Sequence, residues 1–463
     1  MGGQARGAAG DGAGLALDLG KYVQREGYRA YENVVYVSKP VDAGRQAMNI
    51  YVPDAYFSGG EINGYTAETA PILLHNRGGG FTAQTLSYPV GYENGWQYLT
   101  DALNRGYVVA SVNCRGHRDA YIDIDGDGRN EFTGKAPAQT VDVKSAVRFL
   151  RFNGAALPGD ADRIVIHGDS SGGNLSALVG TSGDSADFDG YLARCGAADA
   201  SDAVFAVGDY YGPTDFAIAD MAYEWCIGRD PSYARAFAEG YIGGLGMTEG
   251  EYIGRALGFL EPALRGYLAA NPDAEAPSYY DAGSGRIDFD GYRAAVNDNP
   301  DGTKGRDEAV MWKGVPAFDA LGASMAGSCE NSLFGGEKLS CVHFTEMGAS
   351  MAGGELDPEV ARLVRLQDPN SFIGDAGAKK ARHWWIRHGT HDGDIPFVMS
   401  LDLAENLKAA GIEDVSFGFE WGYGHGGITD SPTNAPAFFD WIDSIAGQAE
   451  APRRHGVDGT DIP

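Results

Sequence analysis

Two serines stand between glycines in the stretch GDSSGG, which spans 168–173. The β-branched run before this stretch predicts a buried strand, and the apolar spacing after it predicts a helix. The frame G-x-S-x-G centres on Ser170, and at a strand-to-helix elbow such a serine exposes its hydroxyl above the sheet. Ser170 is therefore the predicted nucleophile. Ser171, whose own frame lacks the first glycine, is predicted to offer its backbone N–H to an oxyanion.

A nucleophilic serine needs a histidine as base and an acid that orients the histidine, and in doubly wound hydrolases the acid precedes the histidine. His425, in WGYGHGG, is the last histidine before the C-terminal tail. The preceding strand-like run ends in HGTHDGDIPF, which offers Asp392 and Asp394. The spacing of Asp392 to the Ile-Pro that opens the next helix favours it as the orienting acid. Asp394 is left for another task, with a charge at a helix N-terminus as the alternative.

Three consecutive glycines follow an early strand-like run, in LLHNRGGGF over 73–81. A backbone N–H can approach a substrate oxygen at such a site because no Cβ stands in the way. Gly79 is the first candidate for the second oxyanion donor and Gly78 the second. The alternative is an ordinary turn at the end of a strand.

Strand-like and helical patterns alternate along most of the chain, which is typical of a mostly parallel sheet covered by helices on both faces. The strand-like runs lie at 47–53, 71–76, 107–113, 164–168, 203–210, 383–389 and 415–421, and helical patterns lie at 95–104, 139–152, 174–181 and 397–410. The alternation stops near residue 210 and resumes near 382. We predict a flexible leader (1–20), an α/β core in two parts (21–205 and 382–447), an inserted cap domain (206–381) and a tail (448–463).

The charge and the hydropathy pattern narrow the classes of partner. The net charge of −28 argues against nucleic acid and against anionic membrane surfaces. No run approaches the roughly 18 apolar residues that a membrane span requires, so no membrane insertion is expected. The expected partner is a small molecule. The oligomeric state and the compartment are left open, with a secreted or cell-surface location preferred over the cytoplasm.

The cysteines are candidates for a disulfide bridge, and one acidic stretch is a candidate for a calcium site. The five cysteines include no C-x-x-C pair, and only Cys329 and Cys341 are candidates for a bridge, in an oxidising compartment. The stretch DIDGDGRNEF places Asp123, Asp125 and Asp127 at the spacing of an EF-hand, but the twelfth loop position is glycine instead of glutamate. An acidic surface turn is preferred over a calcium site, and no metal or cofactor is predicted.

With these motifs in view, the chain resembles the bacterial tannases, α/β-hydrolase esterases that cleave galloyl esters, and their feruloyl-esterase relatives. The resemblance runs from about residue 40 to 445, and its most specific elements are HGDSSGG, GKAPAQTVDVKSAVRFLR, ADMAYEW, VPAFDAL, RHWWIRHGTHDGD and GYGHGG. It implies an α/β-hydrolase fold with a large inserted cap, a Ser-Asp-His triad, and an aromatic ester as substrate.

The resemblance also implies which residues bind the galloyl hydroxyls, because the family uses a lysine, a glutamate and an aspartate for this. The aspartate two residues after the catalytic acid corresponds to Asp394. Glu330, in CENSLFGG, corresponds to the glutamate of the cap, and Lys313, before VPAFDAL, to the lysine. Adjacent phenolic hydroxyls need such partners because a buried polar group left unpaired costs binding energy. The alternatives are a solvated cap glutamate and a surface lysine.

The leading hypothesis is thus a serine esterase acting on gallate or related hydroxybenzoate esters. A feruloyl or general aryl carboxylesterase is the first alternative, and a serine peptidase comes after it. A non-catalytic binding member of the fold is the hypothesis from another class. It predicts a broken triad, whereas Ser170, Asp392 and His425 are all present.

Overall fold

The computed structural model describes residues 14–76, 79–83, 86, 97–122, 131–228, 230–297, 328–336, 339, 341–429 and 434–447. Within these ranges the strands are β1 (Val23–Arg25), β2 (Tyr28–Val35), β3 (Ala47–Pro53), β4 (Pro71–His75), β5 (Val108–Val112), β6 (Ala120–Ile122), β7 (Glu131–Phe132), β8 (Asp160–Asp169), β9 (Ala206–Tyr210), β10 (Tyr280–Asp281), β11 (Arg286–Ile287), β12 (His383–Gly389) and β13 (Asp414–Glu420).

The helices fall into two groups, those between the sheet strands and those of the segment between β9 and β12. The first group comprises α1 (Gln97–Asn104), α2 (Ala138–Phe152), α3 (Ser171–Thr181), α4 (Asp189–Cys195), α13 (Phe397–Ala409) and α14 (Asn434–Ala446). The second comprises α5 (Ala219–Ile227), α6 (Pro231–Ala236), α7 (Glu249–Ala270), α8 (Phe289–Asn297), α9 (Cys329–Leu333), α10 (Glu346–Met351), α11 (Pro358–Gln367) and α12 (Asn370–Ile373).

A central sheet of nine strands, in the order β1-β2-β3-β5-β4-β8-β9-β12-β13, organises the described residues. The first three strands form antiparallel pairs, whereas every pair from β5 to β13 is parallel. This is the mostly parallel sheet that the alternating pattern predicts, and it confirms the α/β-hydrolase fold class. The carboxyl ends of β8, β9, β12 and β13 lie along one edge, where open α/β sheets bind their ligands.

The two faces of the sheet are buried in separate apolar clusters because successive side chains of a strand point to opposite faces. Ile72 and Ile164 belong to the cluster on one face, whereas the neighbouring Leu73 and Val165 belong to the cluster on the other. Strands that are apolar on both sides are typical of a sheet that is covered by helices on both faces.

The segment between β9 and β12 is mostly helical and has its own apolar cluster. Trp225 of α5 and Tyr252 of α7 are buried in this cluster together with Phe397 and Val398 of α13, a helix of the sheet layer. The predicted cap boundary at 206 falls at the start of β9, which pairs with both β8 and β12, so the sheet continues to Tyr210. None of the helices in the described ranges has the length and apolar character needed to cross a membrane.

Candidate active site

Ser170 stands at a sharp turn between β8 and α3. Its backbone has φ 56° and ψ −127°, a strained conformation for a residue with a side chain, and its N–H donates to the carbonyl of Tyr210 at 2.9 Å. The flanking glycines are needed for packing. A Cβ on Gly168 would lie 2.2 Å from the carbonyl oxygen of Asn76, and one on Gly173 would lie 2.4 Å from a carboxylate oxygen of Asp209. The turn therefore matches the predicted elbow in geometry.

The imidazole of His425 lies between a hydroxyl and a carboxylate. Its Nε2 is 3.0 Å from Oγ of Ser170, and its Nδ1 is 3.0 Å from Oδ2 of Asp392. The other carboxylate oxygen of Asp392 accepts the N–H groups of Asp394 and Ile395 at 2.8 and 2.9 Å. The loops after β8, β12 and β13 thus bring the three predicted residues into one hydrogen-bonded chain.

The charges around these three side chains favour an ionised Asp392 and a protonated His425. Burial opposes ionisation of Asp392, but His425 beside it holds the pKa of that carboxyl below its usual range. Burial alone would lower the pKa of His425, whereas the negative charges of Asp392, Asp394 and Asp169 together raise it to about 9. His388, buried 3.6 Å from Asp392, has its pKa lowered by burial and stays neutral at neutral pH.

Asp394 occupies a position that the sequence did not predict. Its Oδ2 lies 3.3 Å from Nε2 of His425, the same nitrogen that faces Ser170. Its side chain is 48% exposed, whereas that of Asp392 is fully buried. The two carboxylates therefore lie at opposite nitrogens of one imidazole, and only Asp394 is open to the surroundings.

The glycine-rich loop after β4 is attached to the elbow through the second serine. The buried N–H of Phe81 donates to Oγ of Ser171 at 3.0 Å, and Gly80 and Phe81 both have positive φ, 53° and 55°. Gly79 is exposed at the start of this turn, and Gly78 lies outside the described residues. As the first residue of α3, Ser171 has a backbone N–H with no acceptor inside the helix.

Of the three residues that the resemblance assigns to the galloyl ring, Glu330 and Asp394 are described. Glu330, on α9, is only 2% exposed, so the alternative of a solvated glutamate is wrong. The thiol of Cys329 donates to Oε2 of Glu330 at 3.1 Å. Burial, with a further contribution from the charge of Asp394, raises the pKa of Glu330. Lys313 lies outside the described residues.

A buried polar cluster connects α9 to the glycine-rich loop. The N–H of His117 donates to the carbonyl of Phe81 at 3.0 Å, and its Nδ1 lies 2.6 Å from Oγ of Ser332. Lys135 donates to the carbonyl of Ser332 at 2.5 Å. Burial, then the charge of Lys135, lowers the pKa of His117 to about 3, so this histidine is neutral at neutral pH. His117 therefore links the loop to the helix that carries Glu330.

The disulfide and metal sites considered from the sequence are not seen among the described residues. Cys329 and Cys341 are both free thiols, so the bridge considered from the sequence is not formed. Residues 123–130, with Asp123, Asp125 and Asp127, lie outside the described ranges. Elsewhere in those ranges no three His, Cys, Asp or Glu side chains are grouped as metal ligands.

Four residues were not assigned to the site from the sequence, and one of them, Cys329, was a candidate only for a disulfide bridge. Tyr211, with φ 45°, packs its ring against that of His425 at a centroid distance of 4.9 Å. Asp169 adds negative charge near the imidazole, and Cys329 and His117 line the far side of the glycine-rich loop. Of these, only Asp169 had a signal, its place directly before the serine in the elbow motif.

Comparison with solved structures gives two tannases with nearly equal sequence identity and TM-score. The tannin acyl hydrolase of Lactobacillus plantarum is 30% identical, with 93% of this chain and 99% of that chain covered and a TM-score of 0.77. The tannase of Fusobacterium nucleatum is 29% identical over the same shares, also with a TM-score of 0.77. Tannin acyl hydrolase has also been solved in complex with 3,4-dihydroxybenzoate and with ethyl gallate.

Sequence comparisons cover a smaller part of the chain. The family described as BD-FAE matches residues 62–234. The esterase LipQ of Mycobacterium tuberculosis is 38% identical over 159 residues, which are 34% of this chain and 31% of LipQ. The chain thus matches about a third of the length of that relative.

Proposed function

The chain belongs to the tannase and feruloyl-esterase-like family of α/β-hydrolases, which are carboxylic ester hydrolases, and within that family we propose that it cleaves galloyl and related hydroxybenzoate esters through an acyl-enzyme on Ser170. The observation that carries the proposal is the hydrogen-bonded chain from Ser170 through His425 to Asp392.

The proposed chemistry follows from the roles of these three groups. Neutral His425 accepts the hydroxyl proton of Ser170 at Nε2 while Oγ attacks the ester carbonyl. Asp392 holds the imidazole through Nδ1 and stabilises the imidazolium that forms. The imidazolium then protonates the departing alcohol, and a water molecule, activated in the same way, hydrolyses the acyl-enzyme.

The negative charge of the tetrahedral intermediate needs fixed hydrogen-bond donors. The N–H of Ser171, at the start of α3, is one proposed donor, and the partial positive charge of a helix N-terminus supports it. Gly79 supplies the second proposed donor from the glycine-rich loop. The bond between Phe81 and Oγ of Ser171 supports this arrangement, because it holds the loop against the elbow.

The acyl pocket is proposed to recognise ring hydroxyls through Glu330, Asp394 and Lys313. The two carboxylates are close enough that the charge of Asp394 contributes, after burial, to the raised pKa of Glu330, which supports a shared role for them. Adjacent phenolic hydroxyls would donate to these oxygens, whereas an unsubstituted ring would leave Glu330 buried without a ligand partner. The complexes of tannin acyl hydrolase with ethyl gallate and 3,4-dihydroxybenzoate support a substrate of this class.

The experiment compares kcat/KM for methyl gallate and methyl benzoate in the wild type and in Glu330→Gln and Asp394→Asn. Groups that act on the ester carbonyl serve both substrates, so the ratio reports the interactions that depend on the ring hydroxyls. We expect the wild type to prefer the gallate and each variant to lose about ten- to a hundredfold of that preference. A wild type without preference, or variants with an unchanged ratio, would contradict galloyl specificity.

A general aryl carboxylesterase is the second candidate, and the match to the esterase LipQ favours it. Adding methyl ferulate to the substrate panel separates the candidates. Ferulate has one free ring hydroxyl and a longer acyl arm, so a pocket built for three adjacent hydroxyls should reject it relative to gallate. Equal rates on gallate, ferulate and benzoate would favour the general esterase.

A further inference from the structure

Nε2 of His425 has two oxygen neighbours, Oγ of Ser170 at 3.0 Å and Oδ2 of Asp394 at 3.3 Å. We propose that Asp394 holds His425 protonated in the free enzyme, and that a phenolic hydroxyl of the bound acyl ring, by donating to Asp394, releases His425 to act as the base for Ser170. This inference rests on the proposed function and adds to it a way in which the bound substrate makes His425 available as the base.

The geometry makes the two neighbours competitors. A histidine can take the proton of Ser170 only when Nε2 carries a lone pair. A carboxylate beside that nitrogen instead favours an N–H pointing at it, which makes the imidazole a cation. With Asp392 at Nδ1 and Asp394 at Nε2, the imidazolium has a negative partner at each end, and this is its unproductive form.

The other charges that face His425 do not remove this preference. Asp169, next to Ser170, adds negative charge, and burial together with Asp392 and Asp394 leaves the pKa of His425 at about 9. His388, 3.6 Å from Asp392, would oppose protonation if it were charged, but burial lowers its own pKa, so it carries little charge at neutral pH. The ring of Tyr211 packs against the imidazole and contributes no positive charge.

Asp394 is the member of this set that a substrate can reach. Asp392 is fully enclosed, and its Oδ1 accepts two backbone N–H groups. The side chain of Asp394 is about half exposed, and it lies close enough to Glu330 to raise the pKa of that buried carboxyl. A ring hydroxyl bound between the two carboxylates would therefore touch the group that restrains His425.

The release step moves one proton and forms no covalent bond. The phenolic O–H donates to Asp394, which weakens the attraction between Asp394 and the imidazolium. The Nε2 proton then leaves to solvent along the exposed side of Asp394, and Nε2 accepts a hydrogen bond from Ser170. The proton returns when the product departs. A ring hydroxyl thus raises the rate as well as the affinity.

The test is the pH dependence of kcat/KM on p-nitrophenyl acetate, which has no ring hydroxyl in its acyl group and reports the protonation of the free enzyme. In Asp394→Asn we expect the acid limb of the profile to move down by about one pH unit or more, which makes the variant about tenfold faster than wild type at pH 7. The same variant should be slower on methyl gallate, because a hydroxyl contact is lost.

Glu359→Gln is the control, since it removes an exposed carboxylate that pairs with Arg362 on α11 and has no role in the proposed site. Its acid limb on p-nitrophenyl acetate should stay with that of the wild type. A second measurement uses Ser170→Ala, which binds methyl gallate without turnover. Binding in weak buffer near pH 8 should release protons to a pH indicator, and Ser170→Ala with Asp394→Asn should release fewer.

The outcomes separate this inference from the proposed function. If the acid limb of Asp394→Asn coincides with the wild-type limb while the wild type still prefers gallate, the proposal that Asp394 keeps His425 protonated is overturned. This result would not contradict galloyl specificity. A wild type without gallate preference would instead count against the proposed substrate. Equal proton release with and without Asp394 would also overturn the release step.

Discussion

Removing the hydroxyl of Ser171 tests whether the second serine of the motif holds the glycine-rich loop in place. Oγ of Ser171 accepts the N–H of Phe81 at 3.0 Å, and both residues are buried, with exposures of 1% and 0%. In Ser171→Ala the N–H of Phe81 loses its partner where water cannot replace it. An unpaired buried donor costs about 1–3 kcal/mol, so the free energy of unfolding should fall by about that amount.

The same change should lower activity through the position of the loop. The backbone N–H of Ser171 remains in the variant, so one of the two proposed oxyanion donors is kept, but the proposed donor from the loop is displaced. A misplacement of about 1 Å costs up to about a hundredfold in rate. We therefore expect kcat to fall by about ten- to a hundredfold on methyl gallate, methyl benzoate and p-nitrophenyl acetate alike.

Ser176→Ala is the control, because Ser176 is buried in the same helix and its Oγ donates to the carbonyl of Gly172 within that helix, at 2.8 Å. The assay is kcat on the three esters with urea denaturation of each variant. Unchanged kcat in Ser171→Ala would refute the link between loop and catalysis. A loss confined to methyl gallate would make Ser171 a substrate-binding residue instead.

Two further predictions concern the triad. Ser170→Ala should lower turnover of every ester by several orders of magnitude with the fold intact by circular dichroism, because it removes the hydroxyl that faces Nε2 of His425. An active Ser170→Ala beside an inactive Ser171→Ala would reverse the assignment. Asp392→Asn should reduce kcat on p-nitrophenyl acetate by about 10⁴-fold, because an amide no longer fixes the imidazole tautomer. A loss no larger than that in Asp394→Asn would contradict the assignment of separate roles to the two aspartates.

The parts of the fold that sequence predicted well are those whose residues are buried on both sides. The strands at 47–53 and 383–389 have the observed bounds, because most of their residues are buried and suit a strand that is covered on both faces. The strand at Tyr28–Val35 was not predicted. It mixes buried, partly buried and exposed positions, carries Asn33 at φ 54°, and has a register shift between Tyr31 and Val34, so its apolar pattern is interrupted by polar residues.

The candidate site shows a similar division. The elbow and the order of acid and histidine are local or topological features, so Ser170, Asp392 and His425 could be selected from sequence and are found within hydrogen-bonding distance of each other. The burial of Glu330 and the contact of Asp394 with His425 depend on how distant loops meet. No spacing in the sequence contains that information.

The chain order of the central sheet has a consequence for synthesis on the ribosome. Ser170 precedes His425 by 255 residues, and β12, which carries Asp392 at its end, is made after the whole helical segment. Until β12 emerges, β9 is paired only with β8 and its other edge is open to unwanted partners. The nascent chain should therefore be inactive and prone to association until the segment from β12 to His425 has been translated. Synthesis of β12, β13 and the loops that follow them completes the sheet and also supplies Asp392 and His425.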